Sequence, residues 1–247
     1  MNVRILKGLP FLIALFIVDW CSSNIPLLKF HQNGLNSGLN PQKELLFTII
    51  YTNSGFQSIV EYTLIYIIPY LVFLNYISGR TSIAEFIRMP SRTYHLRHQL
   101  RNITISSAVF TFVHEFIAWI GTAVILPVSL LKANRWFEAS LFHFLSIFLF
   151  YIQVGLFCKI LAQLSVGKIQ LLYTFLFYAG MFYLWRLSIL DWTPVKDTAL
   201  LEGIMTRTLS SFEIVLRFIR ELSFIILLYL LNGQLFERSD LIPYESK

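Results

Sequence analysis

Apolar residues in this chain come in long unbroken runs, separated by short polar breaks. Six runs are long enough, as helices, to cross about 30 Å of hydrocarbon at roughly 1.5 Å per residue. They cover roughly residues 5–25, 57–77, 104–131, 137–161, 169–190 and 212–236. This pattern predicts an all-α polytopic membrane protein with six transmembrane helices, forming one transmembrane domain over residues 1–247.

The polar breaks sharpen the picture. Residues 26–56 form the longest one, and HQNGLNSGLNPQKE within it has an Asn- and Gly-rich loop composition. KANRWFE and AQLSVGK are tight turns. Residues 191–222 mix apolar and charged positions and predict an outer excursion with one or two short amphipathic helices before the last crossing. Arg4 and Lys7 precede the first apolar run, which has the form of a signal peptide as much as of a membrane helix. We read it as a retained first helix. Cys21 is no lipidation site, because Trp20 stands where a small residue would be needed.

The charge pattern orients the helices. The interval 78–104 holds Arg80, Arg88, Arg92, Arg97 and Arg101 against one acid, Glu85. Short basic loops stay on the cytoplasmic side, and six crossings then place both termini there. Ile83, Phe86 and Ile87 fall at helical spacing, with Ser82 as N-cap, and Pro90 ends that helix. Ser91 caps a second helix. Leu96, Leu100 and Ile103 form its apolar stripe, with Tyr94, Arg97, His98 and Arg101 on neighbouring faces. The interval is either an ordinary positive-inside loop or a docking element for a cytoplasmic partner. Trp20, Trp136, Trp185 and Trp192 fall near predicted outer helix ends, as interface anchors do, with Arg186 beside Trp185, while Trp119 is mid-helix.

Composition agrees with a membrane protein. The 247 residues are 56% hydrophobic and only 14% charged, with mean hydropathy +0.63, where a soluble domain carries about a quarter charged residues. The net charge of +6 clusters at one predicted face without a nucleic-acid motif, so nucleic acid is excluded as a partner. Cys21 and Cys158 are placed near opposite faces, which disfavours a disulfide within the chain.

Glu61, His114 and Glu115 are ionisable residues inside apolar runs. Such groups are costly in lipid and turn to a bundle interior, a partner or water, or snorkel at an interface. His114-Glu115 begins an HExxH pattern that fails at Ala118, so the paired zinc ligands are lacking. Phe110 and His114 fit an FxxxH phrase of intramembrane proteases whose EExxxR partner is absent. Val166-Gly167-Lys168-Ile169 lacks the upstream Gly and the hydroxyl of a phosphate-binding loop. No catalytic residue and no metal set is assigned.

The six helices, the basic loop and the excursion resemble permease subunits of ABC-2-type transporters. The local likeness is Ile87-Arg88-Met89-Pro90-Ser91-Arg92 followed by Gln99-Leu100, close to an I-R-Y-x-S-R-K phrase in that group, with Met89 and Thr93 departing from it. The resemblance implies a coupling helix for a separate ATPase at Ile83, Phe86, Ile87, Arg88, Ser91, Arg92, Tyr94, Arg97 and Arg101. It implies an outer gate segment with Trp192, Glu213, Arg217 and Arg220, and a path or interior lining at Glu61, His114 and Glu115. It implies pairing as a homodimer or with a related permease in a bacterial plasma membrane. It implies no cofactor on this chain, with ATP and Mg on the partner ATPase. Small bacterial members export, or give immunity against, antimicrobial peptides including bacteriocins, so the implied substrate is a hydrophobic or amphipathic peptide. The alternatives are an integral-membrane enzyme (peptidase or acyl-chain enzyme) and a non-transporting immunity or accessory protein.

Overall fold

The computed structural model describes residues 3–33, 56–78, 92–164 and 169–238, all helix and turn. The helices are α1 (Val3–Asn33), a π-helical turn (Glu61–Ile65) leading into α2 (Ile67–Ser78), α3 (Arg92–Ile125), α4 (Val128–Ala133), α5 (Trp136–Gln163), α6 (Gln170–Arg186), α7 (Pro194–Asp197), α8 (Leu201–Met205) and α9 (Ser211–Arg238). Among the described residues, three stretches are long and apolar enough to cross a membrane: Arg4–Ile25, Thr93–Ile125 and Trp136–Gln163. Large apolar side chains point outward along the bundle, with Val124 80% and Phe11 64% exposed, as expected where hydrocarbon is the solvent.

α5 is the central helix. Phe150 to Leu156 are all buried on it, Gln153 among them; α9, α3, α6 and α2 pack against it, and α1 packs on α3 and α2. The passes alternate in direction. At one end Asn232 of α9 bridges Gln99 of α3 (3.2 Å) and Gln163 of α5 (2.6 Å), and His95 stacks on Phe236 at 5.0 Å. At the other end Trp20 of α1 lies against Gly121 of α3, and a second core forms from Leu126, Leu131, Trp136, Leu200, Leu201 and Ile204.

Several boundaries differ from the sequence expectation for identifiable reasons. α1 continues to Asn33, past the expected end at 25. The helix expected after Ser91 is the first part of α3, one 34-residue rod, because nothing after Pro90 interrupts the hydrogen-bond ladder. α3 stops at Ile125 and not at 131: Pro127 has an extended ψ of 136° and N-caps the separate α4. The second run opens with the π-turn, where the Tyr66 N–H bonds Glu61 O at 2.8 Å. That wide turn puts Pro69, which has no N–H to give, in the first turn of α2. Trp136 is no interface anchor. Arg135 adopts a left-handed turn (φ 55°) that folds Trp136 fully into the second core. The charged run at the start of α9 is capped by Ser210 and Glu213, whose carboxylate accepts from the Ser210 N–H (2.7 Å) while Ser210 Oγ accepts from the Glu213 N–H (3.2 Å).

Gly121 is where α1 and α3 come closest at that end. A Cβ there would lie 2.2 Å from Trp20 Cε2. Gly121→Ala is expected to cost about 1–3 kcal/mol as an overpacked contact and to push Trp20 outward. Thermal unfolding in detergent and a red-shifted tryptophan emission check this.

Candidate functional site

Glu61, His114 and Glu115 lie in the half of the bundle that contains the second core. His114 and Glu115 of α3 are buried at 2% and 1% exposure. His114 Nδ1 lies 3.1 Å from Glu115 Oε1, and its Nε2 donates to the Phe56 carbonyl at 3.2 Å. The ring is enclosed by aromatics. Phe56 stacks on it face to face (4.4 Å, 14°), and Phe16 and Tyr66 meet it edge-on. Across from α3, His143 of α5 brings Nε2 to 3.7 Å from the same Glu115 oxygen. Tyr62 meets the His143 ring at 5.0 Å. Glu115 is thus flanked by imidazoles from two helices.

Glu61, in the π-turn, is buried, and among the described residues its Oε2 has no hydrogen-bond partner. Beside it Tyr66 donates its hydroxyl to Asp19 of α1. Tyr62 reaches the Thr198 carbonyl (3.5 Å), and Tyr151 of α5 donates to the Tyr62 carbonyl (2.9 Å). The π-turn is therefore tied to α1, to α5 and to the residues after α7.

A second polar cluster holds the excursion against α9. Asp197, fully buried at the end of α7, accepts both arms of Arg220, with Nε at 3.0 Å, and the Trp192 indole N–H at 2.6 Å. Arg217 donates to the Lys196 and Ala199 carbonyls at 3.2 and 3.0 Å, which satisfies the chain between α7 and α8. Glu221, one residue past Arg220, turns inward and accepts from Ser146 of α5 at 2.5 Å. Outside the apolar helices, partial burial pushes the Glu202 carboxyl above its ordinary value. The Glu138 carboxylate holds the exposed Arg135 guanidinium up through its hydrogen bond.

The structure brings Glu61, His114 and Glu115 into one buried region, and Trp192, Arg217 and Arg220 into the latch on Asp197. Glu213 belongs to neither and serves as a helix cap. Arg217, Arg220 and Glu221, spaced as neighbours on one helix, find partners on other segments instead. Tyr94, Arg97 and Arg101 lie exposed on the first turns of α3. Ile83, Phe86, Ile87, Arg88 and Ser91 fall outside the described residues, as does the Arg92 side chain. Asp19, His143, Asp197 and Ser146 were not singled out by sequence. His143 and Asp197 carried a signal, each being ionisable in or beside an apolar run, but their partners lie on other helices. An apolar groove of about 940 Å³ between α1 and α3, lined by Ile13, Ile17, Phe112 and Phe116 among others, is separate from these clusters. Among the described residues no group of three His, Cys, Asp or Glu side chains is placed to hold a metal ion. No protein-family model matches the chain, and no curated protein or solved structure is significantly similar to it.

Proposed function

We propose that the chain is the membrane-embedded permease subunit of an ATP-binding-cassette transporter that moves hydrophobic or amphipathic peptides, with ATP hydrolysed on a partner chain. The observation that carries this reading is α3. Its first turns present exposed Arg97 and Arg101 at the bundle end where α5 and α9 finish, and the same rod continues to the buried His114–Glu115 pair. A partner that grips the basic end can shift a rigid helix whose other half carries the interior polar contacts, which is what an ATPase needs in order to bias two packed arrangements. In this reading the polypeptide crosses the bacterial plasma membrane six times, the basic end is cytoplasmic, and the latched segment 191–209 closes the outer side.

The test is purification of the tagged chain from its own host in mild detergent, with mass spectrometry of what accompanies it. A stoichiometric ABC ATPase is expected. Arg97→Glu with Arg101→Glu should cut its recovery about tenfold, or ~1.4 kcal/mol of association, while the bundle unfolds at an unchanged temperature. Full recovery in that variant argues against docking at the α3 end. Absence of any ATPase after cross-linking at Tyr94→Cys sinks the transporter reading.

A further inference from the structure

We infer that the groove between α1 and α3 is a binding site for one anionic phospholipid. An acyl chain lies along the groove, and the headgroup sits at the end marked by Lys7 and Arg101. The inference needs only that α1 and α3 stand in a membrane, and it is independent of the transporter reading.

Both walls belong to stretches long and apolar enough to cross a bilayer, Arg4–Ile25 and Thr93–Ile125. They run side by side in the same direction: Phe16 meets Phe110, and further along both helices Trp20 meets Gly121. The groove follows α1 from Ile5 to Cys21, about 24 Å at roughly 1.5 Å per residue. That exceeds the depth of one leaflet, about half of a roughly 30 Å hydrocarbon core. Among the described residues its lining is hydrocarbon apart from Trp20, Cys21 and Gly121 at the far end, so a polar solute would be desolvated there without hydrogen bonds in return. Phe112 and Phe116 form one rim, stacked at 5.5 Å and 16° and about half exposed. A second helix fits this surface badly. Apolar helices gain little from one another in lipid unless small or polar side chains let their backbones approach. Here the two Phe rings stand on the rim, and Trp20 covers Gly121. A flexible acyl chain can follow the rings and recover the dispersion contacts that an unfilled groove forfeits.

Charge selects the headgroup. Arg101, Ile105, Ala108, Phe112 and Phe116 follow one another at spacings of three or four, so they share one face of α3. The arginine thus continues the rim beyond the apolar part, and it is exposed. Lys7 is exposed on α1, next in sequence to Leu6, which lines the groove. Helical side chains lean toward the N-terminus of their helix. Both helices begin at this end, so both cations reach toward the same membrane surface. Residues 3–18 and 92–114 contain no Asp or Glu, so neither wall offers an acid to answer them. A phosphate whose charge is not cancelled by its own headgroup complements that end, and its acyl chain then enters the groove alongside Leu6 and Ile13.

The test uses the full chain alone in phosphatidylcholine nanodiscs, with a trace of phosphatidylglycerol that carries a photoreactive diazirine in mid-chain. After illumination, peptide mapping should place adducts on Ile13, Ile17 and Phe112, saturating at one per chain. Unlabelled phosphatidylglycerol should compete about twentyfold better than phosphatidylcholine, about fivefold from each cation. Lys7→Gln should lower that preference about fivefold while the unfolding temperature stays unchanged. Ala108→Phe, which fills the groove wall, should remove the adducts. Labelling spread evenly over other exposed apolar side chains, such as Ile219 and Ile226 of α9, would mean ordinary boundary lipid and overturn the site. Absence of adducts from the groove overturns it too, since another occupant then covers these residues. Equal competition by the two lipids, or a preference untouched by Lys7→Gln, overturns the anionic assignment.

Discussion

Arg220→Met should destabilise the bundle by about 3 kcal/mol, because it leaves Asp197 buried without its countercharge. Asp197 has 0% side-chain exposure while Arg220 retains 35%, so the cost of the ion pair falls mainly on the carboxylate. That asymmetry places the loss at the lower end of the roughly 3–5 kcal/mol seen when one partner of a buried pair is removed. Among the described residues, Asp197 in the variant keeps the Trp192 indole N–H as a hydrogen-bond donor, with Arg217 as the remaining nearby cation. For a chain of this length the shift in unfolding midpoint is about 6–12 °C, read by differential scanning fluorimetry in detergent. The loss should be local first: the segment from Asp191 to Leu209 hangs on Asp197, on the Arg217 bonds to the Lys196 and Ala199 carbonyls, and on the second core. Limited proteolysis should therefore cut there before the bundle melts. Asp197→Asn combined with Arg220→Met removes both charges and should recover most of the stability, since two neutral partners leave no buried ion. An unchanged midpoint in the single variant would mean that the pair is solvated and the latch does not exist.

The same pair shows which parts of this protein can be read from its sequence. The apolar runs located the long helices, because a hydrocarbon-facing helix must be apolar over its whole length whatever it packs against. The runs said less about where helices end. α3 begins at Arg92 because a helix with exposed arginines can extend beyond an apolar run, and it ends at Ile125 because Pro127 breaks it inside one. Trp136 failed as an anchor for a related reason. Its position near a helix end is a local property, but its burial depends on the left-handed Arg135 turn and on Leu200 from a segment more than sixty residues away.

Glu61, His114 and Glu115 stood out because an ionisable residue in an apolar run is itself a signal. Their partners did not. Helical spacing gives the face on which Glu115 lies, but the register of α5 against α3 decides that His143 meets it. Arg217, Arg220 and Glu221 are neighbours along one helix, yet their partners are on α5, on α7 and in the chain following α7. Burial makes the difference: a charge at a packed helix face must be answered from the element opposite, and single-chain periodicity carries no information about that element.

Gly155 is a position where packing should tolerate little. It lies on α5 at the crossing with α2 and α3, and a Cβ there would come within 2.7 Å of Ile103 Cγ2 and 2.8 Å of the Tyr70 hydroxyl, with Leu74 Cδ2 at 3.3 Å. Ile103, Tyr70 and Leu74 are at most 1% exposed, and the Tyr70 hydroxyl is bound to Ser107 Oγ at 2.8 Å, so none can swing aside without breaking another contact. Small residues at such crossings let helices approach closely. Gly155→Ala is expected to cost about 1–3 kcal/mol, and Gly155→Leu should prevent α2 from seating and leave little folded protein after size-exclusion chromatography. Gly180 on α6 provides the matched control, since nothing lies within 4 Å of a Cβ placed there. Gly180→Ala should raise stability by about 0.5–1 kcal/mol through lower backbone entropy alone. The two alanine variants should thus move the unfolding midpoint in opposite directions. Equal shifts would show that α2, α3 and α5 do not meet as tightly at Gly155 as these distances require.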